Sequence, residues 1–179
     1  AYMDSVPMIA ISGQVRSNLL ADYSEQRQIG PQEGNTIETV RPNTKYAKLI
    51  LNPNEISYEL EKAYYYAMEG RPGPVWIDIP MDVQNAEIEL SKLKKFIPPK
   101  PKLKKDLSHK ISQVVAMLQS AKRPIIILGR EVRSSGAVGK TLNSFVKKIG
   151  APIVAPYGGF DLIEERNSLN MGIYGPMGQ

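Results

Sequence analysis

The feature that most constrains this chain is a set of short, nearly unbroken apolar runs, each bounded by proline or glycine. Pro7-Met8-Ile9-Ala10-Ile11-Ser12-Gly13, Val75-Trp76-Ile77-Asp78-Ile79-Pro80, Pro124-Ile125-Ile126-Ile127-Leu128-Gly129 and Pro152-Ile153-Val154-Ala155 lack the strict alternation of a strand with one wet face. Such runs suit strands buried on both faces of a parallel sheet. Parallel neighbours need crossovers, and the stretches between the runs carry helical spacing. Asn54 is placed to cap a helix whose Ile56, Leu60, Ala63, Tyr64, Ala67 and Met68 share a stripe, with Gly70 as the stop. Asp106 or Ser108 is placed to cap a second, with Ile111, Val114, Val115 and Leu118 on one side. A third, from about Ser135 to Lys148, buries Val138, Leu142, Phe145 and Val146. Tyr46-Ala47-Lys48-Leu49-Ile50-Leu51 adds a strand, and residues 16–36 read as loop. The fold class predicted is α/β, in two partial doubly wound units with parallel sheets. Tyr64, Tyr65 and Tyr66 cannot all face one core, so at least one is expected to meet a neighbouring domain or subunit.

The net charge of +5 is concentrated in one tract. Lys92, Lys94, Lys95, Lys100, Lys102, Lys104 and Lys105 are interspersed with Pro98, Pro99 and Pro101. Prolines stiffen such a segment and like charges extend it, so it reads as a solvated linker. A nucleic-acid footprint would want aromatic residues among the lysines, and only Phe96 is available to stack. The organisation predicted is a unit at 1–90, a linker at 91–107 and a unit at 108–179. No nucleic-acid or membrane partner is expected, since no apolar run approaches the ~20 residues of a span. The chain has no cysteine, which removes disulfides, thiolate nucleophiles and Cys-ligated metals from consideration. Its one histidine, His109, reads as a surface residue near a helix start. Without a signal-peptide pattern at its start, the expected location is cytoplasmic. The abrupt opening at Ala1 and the closing MGIYGPMGQ turn read as a piece of something larger.

Two phosphate motifs are approached and missed. Gly136-Ala137-Val138-Gly139-Lys140-Thr141 has the end of a P-loop, but Ser134 stands where its first glycine belongs. Gly129 is followed by Arg130 and Glu131, which breaks a dinucleotide fingerprint. The general rule that ligands sit beyond the carboxyl ends of parallel strands still marks Gly129, Gly158, Gly159 and the Gly175–Gly178 loop as a candidate nucleotide site. Glu33 follows Gln32 in the first loop; burial would make it a candidate general base, whereas an exposed loop glutamate is the commoner case.

The ordered segments AYMDSVPMIAISGQV, Gln32-Glu33, Thr44-Lys45 and GRPGPVWIDIPMDVQ resemble the pyrimidine-binding domain of acetolactate-synthase-like, thiamine-diphosphate-dependent enzymes. PIIILGREVRSSGA and IGAPIVAPYGG resemble the start of that family's central domain, so the resemblance spans essentially the whole chain. It implies the latter part of the first domain and the first part of the second. It implies a parent enzyme that uses thiamine diphosphate and Mg2+ to decarboxylate a 2-oxo acid and ligate the acyl-anion equivalent to a second carbonyl. A homodimer or homotetramer is implied with it. The activating glutamate is expected upstream and the magnesium motif downstream, so the fragment alone is expected to be inactive. Gln32 matches a glutamine near the substrate, with Pro31 in place of the usual phenylalanine. Arg71 matches an arginine that contacts FAD in the true synthases. The flavin's glycine triplet appears as Gly129-Arg130-Glu131, its threonine–leucine–methionine stretch as Pro156-Tyr157-Gly158, and a later histidine as Met177. These departures argue against FAD and leave an ADP-like nucleotide compatible with the site. Two other readings stand beside this one: a non-catalytic nucleotide-binding or subunit-interaction module, and a 2-oxo-acid decarboxylase without ligase activity.

Overall fold

The structure, a computed structural model, describes residues 1–100 and 106–176. Pro101, Lys102, Lys104 and Lys105 of the basic tract, and Met177 and Gly178, lie outside the described residues. The chain divides into two compact units, residues 1–101 and 102–179, each built on its own three-stranded parallel sheet.

The first unit runs β1 (Met8–Gln14), α1 (Thr36–Val40), β2 (Tyr46–Leu49), α2 (Ile56–Met68), β3 (Pro74–Pro80) and α3 (Met81–Gln84), with sheet order β1-β3-β2. The central strand is the most apolar run in this half, and it is buried for most of its length. Val75, Ile77 and Ile50 are fully buried against Ala63 and Ala67 of α2. Alanines at that i, i+4 spacing present a small-residue surface to the sheet. Each such aliphatic side chain contributes about 1.5–3 kcal/mol relative to exposure.

β1 departs from expectation. It is an edge strand rather than one buried on both faces, and Met8, Ile9 and Ile11 are well exposed, Ile11 at 60%. Among the described residues no further strand pairs with its outer side. The cap of α2 also moves: a 3-10 turn at Pro53–Glu55 precedes the helix, and Asn52, not Asn54, supplies the side chain, accepting the Asn54 N–H at 3.0 Å. Gly70 follows the helix end with φ +60°, as its role of stop requires.

Two of the three tyrosines are used within this unit. Tyr66 stacks on Tyr46 with centroids 5.5 Å apart, and Tyr65 packs on both Tyr66 and Phe96. Tyr64 points outward, 62% exposed. Phe96 also meets Tyr58 edge-on, and its N–H donates to the Glu61 carboxylate at 2.7 Å. The aromatic residue of the basic tract is therefore anchored to α2.

The second unit runs α4 (Leu107–Ser120), β4 (Ile126–Ile127), α5 (Glu131–Ser134), α6 (Lys140–Ile149), β5 (Ile153–Ala155) and β6 (Asn170–Ile173), with order β4-β5-β6. Its core joins Leu128, Leu142, Val146, Ile153 and Ile163. The apolar stripe read on α4 is not buried: Ile111, Val114 and Val115 are exposed, and no residue of the helix falls in the core. The helix expected from Ser135 begins at Lys140, because Gly136 and Gly139 adopt φ of +70° and +63° and break the path after α5. Val138 falls in that break and is exposed, as is Phe145. Part of the segment read as a terminal glycine-rich turn forms β6, and Gly172 at φ +90° accompanies an irregularity in its register with β5.

Candidate functional site

Parallel sheets place ligand-sized clefts beyond the carboxyl ends of their strands. In the first unit a cleft of about 300 Å³ lies there, lined by Gln14 at the end of β1, Leu49 at the end of β2, Asp78 in β3, and Tyr23 and Asn35 from the intervening loop. Asp78 is 1% exposed. Its Oδ1 accepts from Ser12 Oγ at 2.6 Å, and that hydroxyl in turn accepts from Trp76 Nε1 at 2.7 Å. Gln14 Nε2 donates to Asp78 Oδ2 at 3.3 Å and to the Gly34 carbonyl at 2.8 Å. A buried carboxylate needs such donors to remain in an apolar layer. This network ties the sheet to the far end of the first loop.

The near end of that loop is tied by α3. Asp82 accepts the Ser17 N–H at 2.8 Å and also the Ser17 hydroxyl, and these donors hold its carboxyl below the usual range. Glu33 corrects the expectation of an exposed loop glutamate: it is buried. Its Oε2 accepts the Ile29 N–H at 2.7 Å and its Oε1 the Ala21 N–H. Those backbone donors hold it below the ordinary carboxylate range, which removes it as a general base poised near neutral pH. Burial, with the nearby Glu33 carboxylate, pushes the Tyr23 hydroxyl up to about 12. Gln32, which precedes Glu33, is exposed.

Arg71 is occupied elsewhere in the unit. Its Nε donates to Ser5 Oγ at 2.6 Å and a terminal nitrogen to the Met3 carbonyl at 3.0 Å. It thus secures the Ala1–Val6 segment around buried Ser5, whose φ is +55°. No hydrogen bond joins Arg71 to Gln32 among the described residues.

In the second unit Gly129, Gly158 and Gly159 do come together, beyond β4 and β5. Gly159 is buried, and a Cβ there would collide with the Leu128 carbonyl oxygen and lie 3.3 Å from the Gly129 carbonyl carbon. A Cβ on Gly158 would make only ordinary contact with Arg130, 3.4 Å from its Cβ. Open space surrounds Gly129 alone. Gly159 therefore serves protein packing, whereas open space lies beside Gly129. Elsewhere in this unit a cavity of about 600 Å³ is lined by Asp161, Glu164 and Glu165, with Phe160 and Asn170, and Asp161 is ion-paired with Arg133. Lys140 is exposed in the first turn of α6, and His109 is exposed on α4.

Among the described residues no three Asp, Glu or His side chains converge as a metal site requires. No helix among them is long and apolar enough to cross a membrane.

Asp78 is the site residue that motif reading passed over. A carboxylate inside an apolar run was the available signal, since it implies donors waiting in the fold. Which donors they are depends on the register Ser12↔Asp78 between strands more than sixty positions apart.

Comparison with known proteins places these observations in a lineage. Residues 111–179 match the thiamine pyrophosphate enzyme central domain. The chain is 35% identical over 179 residues to the acetolactate synthase large subunit of Corynebacterium glutamicum, covering 99% of this chain and 28% of that protein. It is 31% identical over 179 residues to the acetolactate synthase large subunit of Lactococcus lactis, covering 30% of it. It is 30% identical over 178 residues to the isozyme 1 large subunit of Escherichia coli K12, again 30% of its length. The chain thus spans under a third of the length of these curated relatives.

Proposed function

Because this chain belongs to the acetolactate-synthase-like, thiamine-diphosphate-dependent enzymes, we propose that the protein carrying it converts a 2-oxo acid and a second carbonyl compound into a 2-hydroxy ketone and carbon dioxide. The observation that supports this most is continuity: the similarity runs through both units in one order, over 99% of the chain. Thiamine diphosphate, when bound, supplies the electron sink for decarboxylation. The residues described here would provide part of the enclosing wall. The Asp78 network holds the carboxyl edge of the first sheet, and the loop it anchors carries Gln32, which the family likeness would set near the substrate. With no converging ligand set among the described residues, the Mg2+ that binds the diphosphate would be held by other parts of the parent. A homodimer or homotetramer working in the cytoplasm completes the reading.

The test is turnover by the full-length protein with pyruvate, Mg2+ and thiamine diphosphate. The expected result is carbon dioxide release matched by a condensed hydroxy-keto acid, with both lost when thiamine diphosphate is withheld. Carbon dioxide without condensation would indicate a simple decarboxylase. Absence of any thiamine-dependent turnover, with ADP still bound, would indicate a nucleotide-binding module. The isolated 179-residue chain is expected to be inactive in the same assay.

A separate expectation concerns flavin. Arg71 is engaged with Ser5 and Met3, and Arg130 and Glu131 put two long side chains where the flavin-binding relatives of the resemblance carry glycines. The full-length protein should therefore purify colourless and bind FAD no more tightly than ADP. A yellow protein with stoichiometric flavin after gel filtration would overturn this.

A further inference from the structure

The loop between β1 and α1 is 21 residues long by its bounding elements, Gln14 and Thr36, and holds only one short 3-10 turn, Ser17–Leu19. Loops of this length without structure of their own are uncommon in compact domains unless something ties them down. Its ends are tied, by Ser17 to Asp82 and by Gln14 to the Gly34 carbonyl. Between Leu20 and Gln32 the other side-chain hydrogen bonds reach only two residues along the chain, Ser24 to Asp22 and Gln28 to Gly30. Among the described residues, the tie that crosses the loop is Glu33. One carboxylate gathers the N–H of Ala21, twelve positions away, and the N–H of Ile29, four away. Ala21 is buried with it. Both acceptor oxygens are thus committed, and the segment carrying Gln32 closes against them.

We propose that Glu33 is the clamp of this loop and thereby the positioning residue for Gln32. Gln32 cannot be placed by its own contacts, since it is exposed; its backbone is held because the next residue is anchored. A hydrogen bond to a charged acceptor is stronger than a neutral one, and a buried N–H left without its acceptor is costly. The Glu33→Ala variant loses both acceptors. Glu33→Gln keeps the shape and one acceptor oxygen but turns a donor towards the other N–H. The clamp therefore predicts a graded series. The role of Gln32 at the substrate rests on the function proposed above.

The experiment uses the full-length protein with wild-type, Glu33→Gln and Glu33→Ala sequences. Limited trypsin digestion reads loop order directly, because Arg27 is exposed at the centre of the clamped stretch and Arg16 lies outside it beside the Asp82 tie. Cleavage after Arg27 should accelerate from wild type to Gln to Ala, by about tenfold at the end of the series, while cleavage after Arg16 stays unchanged. The kcat/KM for the 2-oxo acid should fall in the same order, with the affinity for thiamine diphosphate unaltered. Cleavage after Arg27 within about twofold of wild type in Glu33→Ala would overturn the clamp. Faster cleavage with unchanged kcat/KM would overturn the positioning role. If Glu33→Ala does not fold, Glu33→Gln carries both readouts. A wild type without thiamine-dependent turnover would sink the proposed function, and the clamp would still stand or fall on the cleavage series.

Discussion

Replacing Gly159 with alanine should lower the melting transition of the second unit by at least about 10 °C, the loss expected when roughly 3 kcal/mol is removed from a domain of this size. The added methyl would be driven into the Leu128 carbonyl oxygen, with the Leu128 and Gly129 carbonyl carbons 3.3 Å away. Those atoms are backbone at the end of β4, and Leu128 itself is 5% exposed in the core. Neither side has a flexible side chain that can swing away, so the strand end or the following turn must shift. Overpacking that displaces backbone is among the costlier single substitutions. The neighbouring Gly158→Ala supplies the control, because its methyl would meet Arg130 at ordinary contact distance and should leave the melt nearly unchanged. Equal melts for the two variants in the full-length protein would show that the packing account of Gly159 is wrong.

The second large effect is expected at Asp78. Asp78→Ala should destabilise the first unit by about 2–4 kcal/mol, since it removes the acceptor of two buried or half-buried donors at once. The Ser12 hydroxyl loses its acceptor while still receiving the Trp76 indole N–H, and Gln14 loses one of its two anchors. Asp78→Asn should cost less than Asp78→Ala, because its Oδ1 can still accept from Ser12, but not nothing, because its amide nitrogen faces the Gln14 amide nitrogen while the Gln14 oxygen is held by the Val15 N–H. Trp76 is the chain's one tryptophan, so its emission during denaturation of this chain reports on the network itself. A midpoint for Asp78→Ala that coincides with wild type would mean the carboxylate contributes nothing to the edge of the sheet.

How much of this was readable in advance varies with the kind of interaction. The central strand Pro74–Pro80 and the helix Ile56–Met68 were legible because burial on both faces and burial along one stripe leave direct marks on residue order. The Glu33 clamp was not. In the sequence it is a glutamate in a polar loop, and its acceptors are filled by backbone N–H groups, which every residue carries and no pattern advertises. The same applies to Arg71, whose partners are a hydroxyl and a carbonyl more than sixty positions away. The late start of the third expected helix, at Lys140 instead of Ser135, lay within reach, because Gly136 and Gly139 stand in the sequence; only their positive φ shows that both are used as breaks.

From the sequence by itself come the α/β class, the two-unit organisation as an expectation, and the family likeness, because each rests on residue types repeated along the chain. Tertiary structure decided which run is central and which is at the edge, placing β3 between β1 and β2 and leaving Ile11 exposed. It also decided which candidate residues meet: Gly129 with Gly159, Asp78 with Ser12 and Gln14, and Arg71 with Ser5. The physical reason is that periodicity reports how much of a segment is buried, whereas partnership is set by strand order and register. Those follow from the packing of the whole unit, and a hydrogen-bond donor carries no local sign of the acceptor it will meet.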